Sequence, residues 1–158
     1  MKTELHGTVT YISGMHFQGK DETGHVTDMD SAPAGVATVG TTPMELILQA
    51  VGGCTGMDVV NILNKRKLKL DYFEIKVDGT KRDQFPRMFE EINIVYRAGG
   101  PRITLRELER AVGLSMSTYC SISAMLKETT RVNWRCEVIE DAALTTEQIM
   151  DLPRPATR

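Results

Sequence analysis

Positive charge is in no excess across the 158 residues: 19 Lys and Arg against 21 Asp and Glu give a formal net charge of -2. That balance removes the electrostatic basis for binding a nucleic-acid backbone. The one dense basic run, Lys65-Arg66-Lys67-Leu68-Lys69, follows an apolar helical stretch, where cations suit the negative end of a helix dipole. No segment reads as the roughly 20 apolar residues of a membrane-crossing helix. Nothing behind Met1-Lys2-Thr3-Glu4-Leu5-His6 has the apolar character of a signal peptide. Cysteine is scarce: three is an odd, small number, unlike the disulfide framework of a secreted domain. A cytoplasmic chain with reduced thiols is expected. The three histidines, His6, His16 and His25, match no standard zinc spacing, so no metal is expected, and no cofactor. A Ser-His-Asp signature and a glycine-rich phosphate loop are both missing, because Gly52-Gly53 lies within an apolar helical stretch and not before one.

The remaining composition, 41% hydrophobic and 25% charged, is that of an ordinary globular chain of one domain. That domain is expected over residues 1–140, followed by a short helix and a frayed tail over 141–158. Residues 4–12 and 15–29, rich in Val, Thr, Ile and Phe and punctuated by Gly14, Gly19 and Gly24, predict short antiparallel strands. Residues 31–42 read as a loop. A helix then opens at Thr42, with Pro43 in its first position and Glu45 three residues after the cap, a capping box. From Met44 to Leu63 this helix is apolar on nearly every face and is expected to be buried. Two period-two runs follow, Phe73/Ile75/Val77 and Ile92/Ile94/Tyr96, separated by a charged loop containing Pro86. Thr104-Leu105-Arg106-Glu107 is a second capping box, opening a helix with Leu105, Leu108 and Val112 on its inner side. A shorter helix is predicted over 118–129 and a last strand through Val132, Trp134, Cys136 and Val138. Strands before and after a long buried helix give an α+β fold. A helix apolar on all sides needs cover on all sides, which predicts an obligate homodimer.

Each cysteine has two readings. Cys54 lies in Val51-Gly52-Gly53-Cys54-Thr55-Gly56-Met57, where three glycines in a helix interior cost on the order of 1 kcal/mol each relative to alanine. Such a penalty points to close backbone approach, either around a reactive thiol or in tight packing at a dimer interface. A break of the helix at Gly52-Gly53 is the third reading. Cys120, in Ser117-Thr118-Tyr119-Cys120-Ser121-Ile122-Ser123, falls in the first turn of a helix if Ser117 or Thr118 is its cap. There the dipole and free N–H groups favour a thiolate; a half-buried packing thiol is the alternative. Cys136 alternates with Trp134 and Val138 and reads as core filler.

Thr42-Pro43-Met44-Glu45-Leu46, then Gly52-Gly53-Cys54-Thr55, resembles the central-helix motif of the OsmC/Ohr family. Tyr119-Cys120-Ser121-Ile122-Ser123 resembles that family's second motif. The nearest likeness is to the OsmC-like subgroup carrying Gly-Gly-Cys. The resemblance implies an intertwined homodimer with antiparallel sheets wrapped around long central helices. It also implies a two-cysteine reduction of organic or inorganic hydroperoxides, with Cys54 as nucleophile, Cys120 as resolving thiol and a dithiol reductant as second partner. The family glutamate, ten residues before the reactive cysteine, is replaced by Met44, with Glu45 one place along. The family arginine has no counterpart, since no arginine precedes Arg66, and Lys20 is the internal cation of the N-terminal strands. Glu45, Met44 and Lys20 are therefore the candidate supporting or substrate-binding residues. An alternative reading is a non-enzymatic dimer that binds a small apolar or electrophilic molecule at the subunit interface, with no nucleic acid and no membrane as partner.

Overall fold

A computed structural model describes residues 3–139; the expected C-terminal helix and tail lie outside the described residues. The chain divides into two compact units between Gln49 and Ala50.

The first unit carries a three-stranded antiparallel sheet of β1 (Gly7–Ser13), β2 (His16–Asp21) and β3 (Val26–Met29), paired in that order. The run expected over 15–29 splits in two at Gly24, which turns with φ of 95°, while Gly14 turns with φ of 54°. Gly19 marks no turn: it lies inside β2, opposite Val9 and Thr27. None of the described residues of this unit reaches full burial, and Val9 and Tyr11 are 62% and 60% exposed. A three-stranded sheet with apolar side chains in water lacks the cover that such a sheet needs for stability.

Helix α1 (Pro43–Lys65) begins in the first unit and continues into the second. Its N-terminus is the expected capping box. The Glu45 N–H donates to Thr42 Oγ1 at 3.3 Å, and the Glu45 carboxylate accepts from the Thr42 N–H at 2.8 Å and the Thr42 hydroxyl at 2.7 Å. The helix runs unbroken through Gly52-Gly53. Its exit is closed by Lys67, a non-glycine residue in the left-handed region (φ 56°), with the Leu68 N–H reaching the Leu63 carbonyl at 3.0 Å.

Around α1 the second unit places β4 (Tyr72–Lys81), β5 (Phe89–Gly99), α2 (Leu105–Leu114), α3 (Ser121–Lys127) and β6 (Arg131–Val138). The sheet order is β4-β5-β6. β4 pairs antiparallel with β5 as expected, but β6 runs parallel to β5, so the all-antiparallel expectation fails at this pair. The reason is the connection: α2 and α3 lie between β5 and β6, and a crossover of that length returns the chain in the same direction. Central β5 supplies Ile92, Ile94, Tyr96 and Ala98 to a core completed by Val51, Val59, Leu63, Leu108, Ala111 and Val112. Leu105, expected on the inner side of α2, is 46% exposed, because it stands at the first turn where the helix leaves the core. Thr104 caps α2 through the Glu107 N–H, but the Glu107 carboxylate does not return to the cap; it pairs with Arg66 at 2.7 Å.

Two further expectations about α1 change. It buries one stripe, Val51, Gly52, Thr55, Gly56, Val59 and Leu63, while Met57 is 75% exposed. It is also long and apolar enough to cross a membrane by length and composition alone. Core packing of the buried stripe against β4 accounts for part of that composition, and the Met57 face lies outside it. A Cβ on Gly56 would stand 2.7 Å from Ile75 Cδ1 and one on Gly52 3.2 Å from Val77 Cγ2. These two glycines let the helix backbone lie close on the sheet. Gly53 faces away, with nothing within 4 Å of where a Cβ would be.

Candidate active site

The Gly52 and Gly56 approach fixes which way the next face of α1 points. Cys54 lies between these glycines and half-buried, and it meets Cys120 from the α2–α3 connection. After α2 the chain widens into a π-helical turn, Ser115–Tyr119, and then breaks at Cys120 (φ -72°, ψ 106°). Cys120 is therefore the N-cap of α3 itself, not a residue of its first turn, and the helix is shorter than the 118–129 expected. The Ser123 N–H donates to Cys120 Sγ at 3.3 Å, and the Ser123 hydroxyl donates to the Cys120 carbonyl at 3.0 Å. Cys120 is buried at 3% exposure.

The two sulfurs are 2.6 Å apart, with the Cys120 thiol donating to Cys54 Sγ, and both cysteines are free. Two free thiols placed in contact can form a disulfide once an oxidant removes two electrons and two protons. Burial pushes the Cys54 thiol above its ordinary value. The hydrogen bond with Cys120 and the charges of Cys120 and Asp58 act in the same direction, and the Ile122 backbone acts against them. Tyr96 is fully buried in the same unit, its hydroxyl donating to Met116 Sδ at 3.7 Å, and burial holds its phenol well above the usual range. Cys136 takes no part: it sits half-buried on β6, with its thiol pushed up to about 12 by burial and then by Glu109.

Sequence reasoning passed over Asp58. It stands one helical turn after Cys54, its Oδ2 accepts from the Ser115 hydroxyl at 2.8 Å, and a ligand atom of each of Cys54, Asp58 and Cys120 lies within 4.8 Å of the others. The signal was available, because Asp58 is the one charged residue of α1 between Glu45 and Lys65, and i, i+4 places it on the face of Cys54. Asp58 also lines an open concavity of about 290 Å³ with Asn61, Ile62, Lys65, Arg66, Leu114 and Tyr119.

The expected supporting residues all belong to the first unit. Glu45 is engaged at the N-terminus of α1, Met44 is half-buried in the same turn, and Lys20 is exposed on β2 opposite Thr8 and Val26. The structure thus brings together Cys54, Cys120, Asp58 and Ser115 within the second unit alone.

Residues 35–135 match the model of the OsmC-like protein family. The chain is 33% identical over 135 residues to protein YhfA of Escherichia coli (strain K12), covering 85% of this chain and 98% of that one. It is similar to the crystal structure of a hypothetical protein from Aquifex aeolicus VF5, at 31% identity and a TM-score of 0.79, over 89% of this chain and 99% of that one. The organic hydroperoxide resistance protein OhrB of Bacillus subtilis shares the fold at 16% identity and a TM-score of 0.59, over 85% and 98% of the two chains.

Proposed function

Because the chain belongs to the OsmC-like family, we propose that it reduces hydroperoxides with a thiol pair, Cys54 as nucleophile and Cys120 as resolving thiol. The observation that carries this reading is the 2.6 Å separation of two free sulfurs. The Cys54 thiolate attacks the distal oxygen of ROOH. The O–O bond breaks, RO⁻ takes a proton and leaves as ROH, and Cys54 becomes a sulfenic acid. The Cys120 thiol then displaces water from that sulfenic acid to give the disulfide, which a dithiol reduces by exchange, itself becoming oxidised. Similar proteins named organic hydroperoxide resistance proteins, from Bacillus subtilis and Legionella pneumophila, share the fold. A homodimer is part of the reading, supported by the exposure of Val9 and Tyr11 on β1 and of Met57 on α1, which a second copy would cover.

One equivalent of cumene hydroperoxide should lower the intact mass by two hydrogens per chain. Cys54→Ser should prevent both this loss and turnover with excess dithiol. Cys120→Ser should instead accumulate a sulfenic acid that a dimedone-type reagent traps. Equal, slow peroxide consumption by wild type and Cys54→Ser sinks the enzyme reading and leaves the non-enzymatic ligand-binding dimer in its place.

A further inference from the structure

We propose that Cys54, Asp58 and Cys120 form an open three-ligand site for a borderline-soft divalent cation of the Zn²⁺ kind. The inference is independent of peroxide chemistry and rests on the composition and placement of the cluster. Two sulfurs and one carboxylate oxygen lie mutually within 4.8 Å. Two sulfurs exclude the hard ions Mg²⁺ and Ca²⁺, and the added carboxylate suits Zn²⁺ better than the all-sulfur surroundings that suit Cu⁺.

Two of the ligands are fixed by secondary structure. Cys54 and Asp58, at i and i+4 on α1, present side chains to one face, the spacing that helical zinc motifs use for a ligand pair. The third, Cys120, is held by the N-cap geometry of α3, which points its sulfur at the same face. A support for the carboxylate is also built in: the Ser115 hydroxyl holds Asp58 Oδ2 at 2.8 Å, orienting the carboxylate and leaving its other oxygen to the ion. Tetrahedral coordination with Zn–S of about 2.3 Å sets the two sulfurs about 3.8 Å apart, so the pair opens from 2.6 Å by side-chain rotation. The two thiols release their protons to solvent as the metal–sulfur bonds form. With three protein ligands, a fourth position is left for water or a small anion, and Asp58 already borders the open concavity that holds Lys65 and Tyr119. Metal in this site occupies both sulfurs, so it withholds the pair from any oxidant until it dissociates.

The test is titration of the reduced full-length protein with Co²⁺, and with Zn²⁺ in competition. We expect one equivalent per chain, with the visible bands of tetrahedral Co²⁺ and the near-ultraviolet band of thiolate-to-Co²⁺ charge transfer. Cys54→Ser, Cys120→Ser and Asp58→Asn should each weaken Zn²⁺ at least tenfold, while Cys136→Ser should bind as wild type. Wild type alkylated at Cys54 and Cys120 serves as a check that needs no refolding of a variant, and it should show no charge-transfer band. A Co²⁺ spectrum without that band, or a Zn²⁺ affinity unchanged in both Cys120→Ser and Asp58→Asn, overturns the proposal. Because these readouts involve no peroxide, they stand or fall apart from the hydroperoxide reading.

Discussion

Cys54 sits where burial, a neighbouring thiol and the Asp58 carboxylate all favour its protonated form. A thiol held above its ordinary value supplies less thiolate at neutral pH, and the thiolate is the attacking species. The reaction of Cys54 with hydroperoxide should therefore quicken with rising pH and still be rising past pH 9, the ordinary thiol value. Asp58→Asn removes one of the charges that oppose ionisation, so its rate profile should move to lower pH, with a faster reaction at pH 7 in stopped-flow measurements. A neutral-pH rate that falls in Asp58→Asn contradicts this electrostatic reading. The same variant weakens metal binding in the proposed cation site, so one substitution moves the two properties in opposite directions. At this scale the sequence named both sulfurs through their motifs. Asp58 was legible as the one charged residue on the Cys54 face of α1, but its 2.8 Å contact with Ser115 was not, because it joins residues 57 positions apart.

At the scale of elements, the sequence was most legible where chemistry is local. Thr42-Pro43 with Glu45 predicted the start of α1, and that capping box forms as written. The second box was half right: Thr104 caps α2, but the Glu107 carboxylate is drawn to Arg66, a tertiary partner that no local rule reports. The glycines of α1 show the same division. Their presence signalled close approach, yet which of them face β4 is decided by packing, and only Gly52 and Gly56 of the three do. Gly56→Val should destabilise the protein by about 1 to 3 kcal/mol, the usual cost of overpacking, because its first added carbon already stands 2.7 Å from Ile75 Cδ1. Adding Ile75→Ala should return part of that loss, a positive coupling in a double-mutant cycle read by denaturant unfolding. Additive losses would mean that the helix does not pack through this contact.

For the whole molecule, the telling feature is unequal burial. The second unit has a core of fully buried side chains, while the described residues of the first have none; apolar Val9 and Tyr11 of the first unit and Met57 of the second face solvent. A second copy is the proposed cover, and it predicts sedimentation at twice the 17.6 kDa chain mass. Met57→Glu, which places a charge on the uncovered face of α1, should shift the protein towards the single-chain mass without loss of helical circular dichroism. A wild type that sediments as one chain at micromolar concentration would remove the dimer from the reading.

By itself the sequence determined the α+β class, the long helix, its cap, and the two cysteines worth watching, because caps, periodicity and short motifs are properties of neighbouring residues. The tertiary structure decided the rest. It turned β6 parallel to β5, made Cys120 a cap and not a first-turn residue, and seated Gly56 against Ile75. It also brought Cys120 to Cys54 and Asp58, and the Ser115 hydroxyl to the Asp58 carboxylate. Each of these depends on which distant segments meet, and that is set by how the whole chain fills its core and satisfies its polar groups.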